Sequence, residues 1–376
     1  MPATQAQWAR AMAAELDEAP CVKAACRFAL GCLGLALRLR LLSIFQSGGG
    51  DMLSKAGAFA SLSGTLWMHL QQATAARLGA ACACLAVLVG GVFMVSAGAP
   101  KAWPWMNGLS LAFALASLAL LPRQRLQTDV RLREWLCFLL GCILLASCAL
   151  EASEGLNGRW LRLGPVTVQA VWLLVPSLLL LSGRPTGATV PSHPHRSCLG
   201  LLLAMAALWA QAEPGWLLLM GLLLLARSAC RSVHRAEPLL ACLALLAAGL
   251  SSLTWQMPTS QAFVDQILLQ AWSQGSSLAL TGLMLAALLI ILLPGWRHRH
   301  AREHSLLWAG LVLLSLPGFL PTPLLGMGGS AILGYVLSLA AVPGPGPSTQ
   351  TQTKAAPAAS PRPKPYSGPR HRLKPR

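Results

Sequence analysis

Long apolar stretches, broken by short basic or Pro/Gly-rich clusters, recur along most of the chain. They begin near residues 77, 103, 134, 164, 198, 215, 236, 274, 305 and 325. Each runs for about 17 to 22 residues, enough to cross the hydrocarbon core of a bilayer as a helix. Lipid offers no partner to an exposed N–H or C=O, so each stretch is expected to be helical. The pattern predicts an all-α, polytopic integral membrane bundle of about ten transmembrane helices over residues 77–342.

The two ends of the chain read differently. The run from Ala24 to Phe45 is interrupted by Arg27, Arg38 and Arg40, each costly at a bilayer centre. It reads as an interfacial helix, followed by Gly48–Gly50 and an amphipathic piece from Trp67 to Gln72, so that 1–76 forms an N-terminal extension. Were the first piece to span, the N-terminus would move outside and the count would become eleven. Trp8, Arg10, Glu15, Asp17 and Glu18 precede any apolar stretch, the wrong order for a cleaved signal peptide. Residues 343–376 repeat Pro among Lys354, Arg362, Lys364 and further basic residues, without an acid. Such a segment cannot bury a core and reads as a disordered basic cytoplasmic tail near anionic lipid.

Composition sharpens the class. The chain is 55% hydrophobic and 11% charged, with a formal charge of +17, which excludes both an ordinary soluble domain and wholesale disorder. The positive charge sits between apolar runs, so it marks topology rather than a nucleic-acid surface. Arg123, Arg125, Arg131 and Arg133 share one loop, Arg184 and Arg196 another, Arg227, Arg231 and Arg235 a third, and Arg297, Arg299 and Arg302 a fourth. These are alternate loops, which the positive-inside rule makes cytoplasmic. Glu151, Glu154, Glu213 and Asp265 fall in the intervening, outward loops. The 11 cysteines lie mostly within apolar runs without paired CxxC spacing and read as small membrane-helix residues.

Few ionisable groups face outward, so each is weighed singly. Arg159 and Arg162 flank Trp160 against the positive-inside bias. They are either snorkelling arginines beside an interfacial Trp, or a site for an anionic headgroup, because guanidinium matches phosphate bidentately. Asp265 lies in the longest polar outer stretch, residues 254–275. It is either a solvated charge at a helix start or a general base for a hydroxyl of a lipid-linked substrate. Glu213, before Pro214, suits the start of the following helix. His298, His300 and His304 alternate with Arg297, Arg299 and Arg302 and read as extra cytoplasmic charge rather than metal ligands. His193 and His195 read likewise. No phosphate loop, nucleophile elbow, HExxH or dinucleotide fingerprint is present.

Two segments carry a resemblance. NGRWLRLGPVTVQ at 157–169 is similar to NGARRWLRLGPFTFQPSE, with Asn157, Gly158, Arg159, Trp160, Arg162, Gly164, Pro165 and Gln169 on matching positions. PTPLLGMGGSAIL at 321–333 is similar to PLPFISYGGSSLL, with Pro321, Pro323, Gly328, Gly329 and Ser330 in register. A weaker likeness joins LAVLVGGVFMVSA at 85–97 to a first-span signature ending in VMVYSAS, and Gln211, Glu213 and Gly215 to a QPDLGT turn. These strings belong to the SEDS family of FtsW, RodA and SpoVE, which residues 77–342 resemble as a divergent member.

The resemblance implies a bacterial inner-membrane protein of cell-wall synthesis, division and shape, with both ends of its ten spans cytoplasmic. Its activity would be peptidoglycan glycosyl transfer, polymerising lipid II (the undecaprenyl-pyrophosphate-linked disaccharide peptide) at the outer face. A class B penicillin-binding transpeptidase would be the partner. No nucleic acid and no cofactor is implied beyond, at most, a divalent cation at the lipid pyrophosphate. Asp265 would be the catalytic base, and Arg159, Trp160, Arg162, Gln169, Glu213, Gly328, Gly329 and Ser330 would contact substrate.

The chain also departs from the pattern. PSE after the matching glutamine becomes Ala170, Val171 and Trp172, and PEAHTD around the aspartate has no counterparts for its Glu and His beside Asp265. These losses favour an alternative, a catalytically inactive scaffold that binds lipid II or the transpeptidase; a lipid II flippase ranks last, because the spans after residue 164 hold almost none of the intramembrane charge that a translocation path needs.

Overall fold

The protein is described here from a computed structural model, which places residues 74–153, 160–163, 166–183, 195–230, 236–255, 263–265, 267–273 and 278–342. The N-terminal extension up to residue 73, Arg159 and the tail from residue 343 lie outside the described residues.

The described chain is mostly helical. Helices α1 (Ala75–Ser96), α2 (Ala102–Leu120), α3 (Arg123–Thr128) and α4 (Val130–Ser153) precede a two-stranded hairpin, β1 (Leu161–Leu163) and β2 (Val166–Val168). Then follow α5 (Ala170–Ser182), α6 (His195–Ala210), α7 (Pro214–Cys230), α8 (Ala236–Thr254), α9 (Ile267–Ser273), α10 (Leu278–Ile290), α11 (Leu293–Arg297), α12 (Arg302–Ser315) and α13 (Gly329–Ala341). Among the described residues, four helices are long and apolar enough to cross a membrane: α1, α2, α4 over Val130–Leu150, and α8.

The other apolar helices are shorter than the sequence pattern suggests. The run expected from residue 164 becomes helical only at Ala170, because Val166, Thr167 and Val168 are β-branched and pair in the hairpin. The run expected from residue 325 becomes helical at Gly329, after an irregular segment through Pro321 and Pro323, whose rings cannot donate to a helix ladder.

The apolar surface is turned outward as well as inward. Leu239, Leu243, Leu246, Leu250 and Leu253 of α8 are all exposed while Ala241, Ala244 and Ala248 are buried. Small residues therefore face the neighbouring helix and large ones face the surroundings, as in membrane bundles. Glycine extends this economy. Gly141 of α4 and Gly200 of α6 cross where a Cβ on either would overlap the opposite backbone. Gly334 brings the centre of α13 against the Trp172 carbonyl of α5, leaving no room for a side chain.

Two of the arginines assigned to loops are buried instead. Arg133 is 2% exposed and donates to four carbonyls: Leu126 O at 3.0 Å, Ala341 O at 3.0 Å, Leu180 O at 2.5 Å and Gly183 O at 3.0 Å. Arg227 donates to Leu179 O at 2.6 Å and Ser182 Oγ at 3.0 Å, and pairs with Glu303 at 3.2 Å. The last carbonyls of α5 and α13 have no partner within their own helices, and these guanidinium forks supply one. The forks thus tie α3, α4, α5, α7, α12 and α13 together at one end of the bundle.

Of the three histidines beside this clasp, His304 does not belong to a charged surface. His304 is fully buried between Trp308 and Tyr335, with ring centroids 6.2 and 4.9 Å away. Burial, with the neighbouring charge of His298 second, holds the His300 imidazole below its ordinary value.

Arg133→Met keeps the aliphatic stem but abandons four carbonyls, and is expected to cost about 3 kcal/mol. The thermal midpoint in detergent should fall clearly, while Arg131→Met, at an exposed neighbour, leaves it in place. Equal midpoints for the two variants would contradict the clasp.

Candidate functional site

At the opposite end of α5, α12 and α13 lie Gln169, Glu213, Asp265, Gly328, Gly329 and Ser330 of the sequence-predicted residues. Since α13 has 13 residues, this end lies about 20 Å from the clasp at 1.5 Å per residue.

The hairpin pairs Leu161 with Val168, Arg162 with Thr167 and Leu163 with Val166. Leu161 packs on the core, and Trp160, just before the strand, is exposed. The hairpin ends at Gln169, whose N–H donates to Ser330 Oγ at 2.9 Å. The two motifs that carry the resemblance thus meet through a hydrogen bond across 161 positions of sequence. Gly329, beside Ser330, lies so close to α2 that a Cβ would overlap Ser110 Oγ. A larger residue there would force the Ser110 side chain to move.

Asp265 sits half-buried in a tight turn, residues 263–265. The turn rests on the segment after α12. Met327 N–H donates to Phe263 O at 2.7 Å, and Thr322 N–H donates to Val264 O at 3.0 Å. Ile267 N–H, opening α9, donates to Thr322 Oγ1 at 3.3 Å. Gln270 closes the turn from within: Phe263 N–H donates to its Oε1 at 2.9 Å, and its Nε2 donates to Asp265 O at 2.8 Å.

Phe263 and Leu324, on the two paired segments, both have φ of 62°, a left-handed conformation that costs a non-glycine residue about 1 kcal/mol or more. The hydrogen bonds, and the packing of Phe263 on Phe93 and Trp103 at 6.1 and 5.9 Å, hold Phe263 there.

Glu213 reaches the same end. It precedes Pro214, accepts from Leu217 N–H at 3.2 Å and follows Ala212, another left-handed residue at φ 50°. Gly215, two residues on, abuts Leu320 at the start of the paired segment.

Beside the turn lies a cleft of about 340 Å³ lined by Leu268, Leu269, Trp272, Thr281, Ser315, Leu316 and Thr322. Thr322 belongs to both cleft and turn. Thr281 Oγ1 is buried there without a hydrogen-bond partner among the described residues. The lining is apolar with three hydroxyls, a chemistry that suits an amphiphile. No group of three or more His, Cys, Asp or Glu residues among those described is placed to hold a metal ion.

Gln270, Thr322 and the strained pair Phe263 and Leu324 were not singled out by the sequence. The Pro321–Pro323 spacing before a glycine-rich turn was the available signal for an irregular, built segment. Comparison with protein-family models, curated proteins and solved structures finds no match.

Gln270→Leu removes both bonds that close the Asp265 turn and leaves the Phe263 N–H without its acceptor. An expected loss of about 2 kcal/mol should appear as a lower thermal midpoint in detergent; an unchanged midpoint would show that the turn does not depend on this amide.

Proposed function

We propose that this chain is a divergent SEDS-type glycosyltransferase of the bacterial inner membrane that polymerises lipid II at the outer face. The observation that carries the reading is the meeting of its two motif segments: Gln169 binds Ser330, and the Asp265 turn is built on Thr322 and Met327. In this reading the bundle has ten spans, the clasp end faces the cytoplasm and the Asp265 end faces outward.

The chemistry follows from the groups at that end. The Asp265 carboxylate takes the proton of an acceptor sugar hydroxyl as its oxygen bonds to the anomeric carbon of the donor. The bond from that carbon to the pyrophosphate breaks, and the lipid pyrophosphate leaves with the electron pair. Arg159 and Arg162, carried by the segment that leads to Gln169, stabilise the charge on the leaving group. The cleft beside Thr322 accommodates apolar substrate next to the base.

A second reading, a catalytically silent scaffold that binds lipid II or a class B penicillin-binding transpeptidase, is favoured by one observation. Where the resemblance calls for PSE, this chain has Ala170, Val171 and Trp172, all buried, with Trp172 stacked edge-on to Trp216 at 5.0 Å. That position fills the core instead of offering a carboxylate. Stable co-purification with the transpeptidase in the absence of strand synthesis is the outcome this reading expects.

Purified protein, alone and with candidate transpeptidases, is expected to convert lipid II into glycan strands. Asp265→Ala should lower the rate by about 10²-fold or more without changing expression or thermal midpoint. Equal synthesis by the variant would remove Asp265 from the mechanism.

A further inference from the structure

A buried amide in α2 stands outside every motif that the sequence singled out. Of α2, only Asn107, Ala114 and Leu118 are buried, so Asn107 is the polar anchor of a helix otherwise turned to its surroundings. Its carboxamide grips both ends of the Gly326–Met327–Gly328 turn. Nδ2 donates to Gly326 O at 2.8 Å, and Gly328 N–H donates to Oδ1 at 3.2 Å. The residue between, Met327, donates to Phe263 O, two positions before Asp265. Gly326 lies against the same turn, where a Cβ would meet Phe263 O and Val264 O at 3.0 Å.

We propose that Asn107 is a positioning residue for Asp265: by fixing Gly326–Met327–Gly328 it sets the place of the 263–265 turn, and with it the carboxylate, without touching substrate. The inference rests on Asp265 acting as the base. The requirement on the side chain is specific. One donor and one acceptor must face the same turn from a single short group, which an amide supplies; an ionised carboxylate has no donor, and leucine has neither. An amide in a lipid-embedded helix is costly unless its partners are built for it, and here two are.

The test uses the full chain in lipid nanodiscs, comparing wild type, Asn107→Leu and Asn107→Asp. Hydrogen exchange is read on peptides covering 263–273 and 320–328, with a peptide from α4 as reference. Both variants are expected to speed exchange in the first two peptides about tenfold and leave α4 unchanged. In lipid II polymerisation they should lower kcat about 100-fold, the scale of a small misplacement of a reacting group, with KM within about twofold of wild type.

Unchanged exchange in the 263–273 peptide would overturn the proposal, and so would faster exchange with unaltered kcat. A rise in KM alone would assign Asn107 to binding rather than positioning, and also overturns it. If the wild type forms no strands, the reading of Asp265 as a base falls, and the exchange comparison separately decides whether Asn107 sets the turn.

Discussion

Two backbone hydrogen bonds, Met327 to Phe263 and Thr322 to Val264, hold the Asp265 end of the bundle together. They join a turn that lies outside the helices to a segment that no helix contains, and each side includes a non-glycine residue in the left-handed region. Neither conformation is favourable alone. Once they are paired, α9 starts on Thr322, α13 starts just past Gly328, Ser330 is presented to Gln169, and the cleft gains its Thr322 wall. Asp265 inherits its place from this pairing together with Gln270 of α9, which closes the turn.

The other end of the bundle solves a different problem. Helices α5 and α13 are shorter than a bilayer core, and their last carbonyls end among packed side chains. Arg133 and Arg227 meet those carbonyls directly, and Glu303 answers the charge of Arg227. Helix C-termini carry partial negative charge, so a buried guanidinium there is both a donor and a counter-charge. Gly334 presses α13 against α5 along the way from this end to the Gln169–Ser330 contact.

The helical class was legible because lipid leaves the backbone few alternatives, and apolar runs of this length therefore read as helices. Their boundaries were not. Hydropathy does not distinguish a β-branched hairpin such as Val166–Val168 from the start of a helix, nor does it show where Pro321 and Pro323 delay one. Arg133 and Arg227 looked like loop charges because a cation near the end of an apolar run has the same signature whether it is solvated or bound to carbonyls. Asp265 stood out as a scarce acid in an outer loop, and Gln169 and Ser330 stood out by resemblance, but their contact spans 161 positions and no local pattern announces it. Asn107 was invisible because one amide barely changes the hydropathy of a long apolar window, although it is a buried polar group that ties α2 to the Gly326–Gly328 turn.

We propose that the paired turns around Asp265 form the place where a lipid-linked sugar substrate binds. Photo-crosslinking with a lipid II analogue carrying a photoreactive group near its pyrophosphate tests this most directly, because both an active transferase and a lipid-II-binding scaffold must pass it. Adducts within residues 263–273 and 316–330, suppressed by excess unlabelled lipid II, are the predicted result. Adducts confined to the Arg133 end, or labelling that lipid II does not compete, would contradict the account.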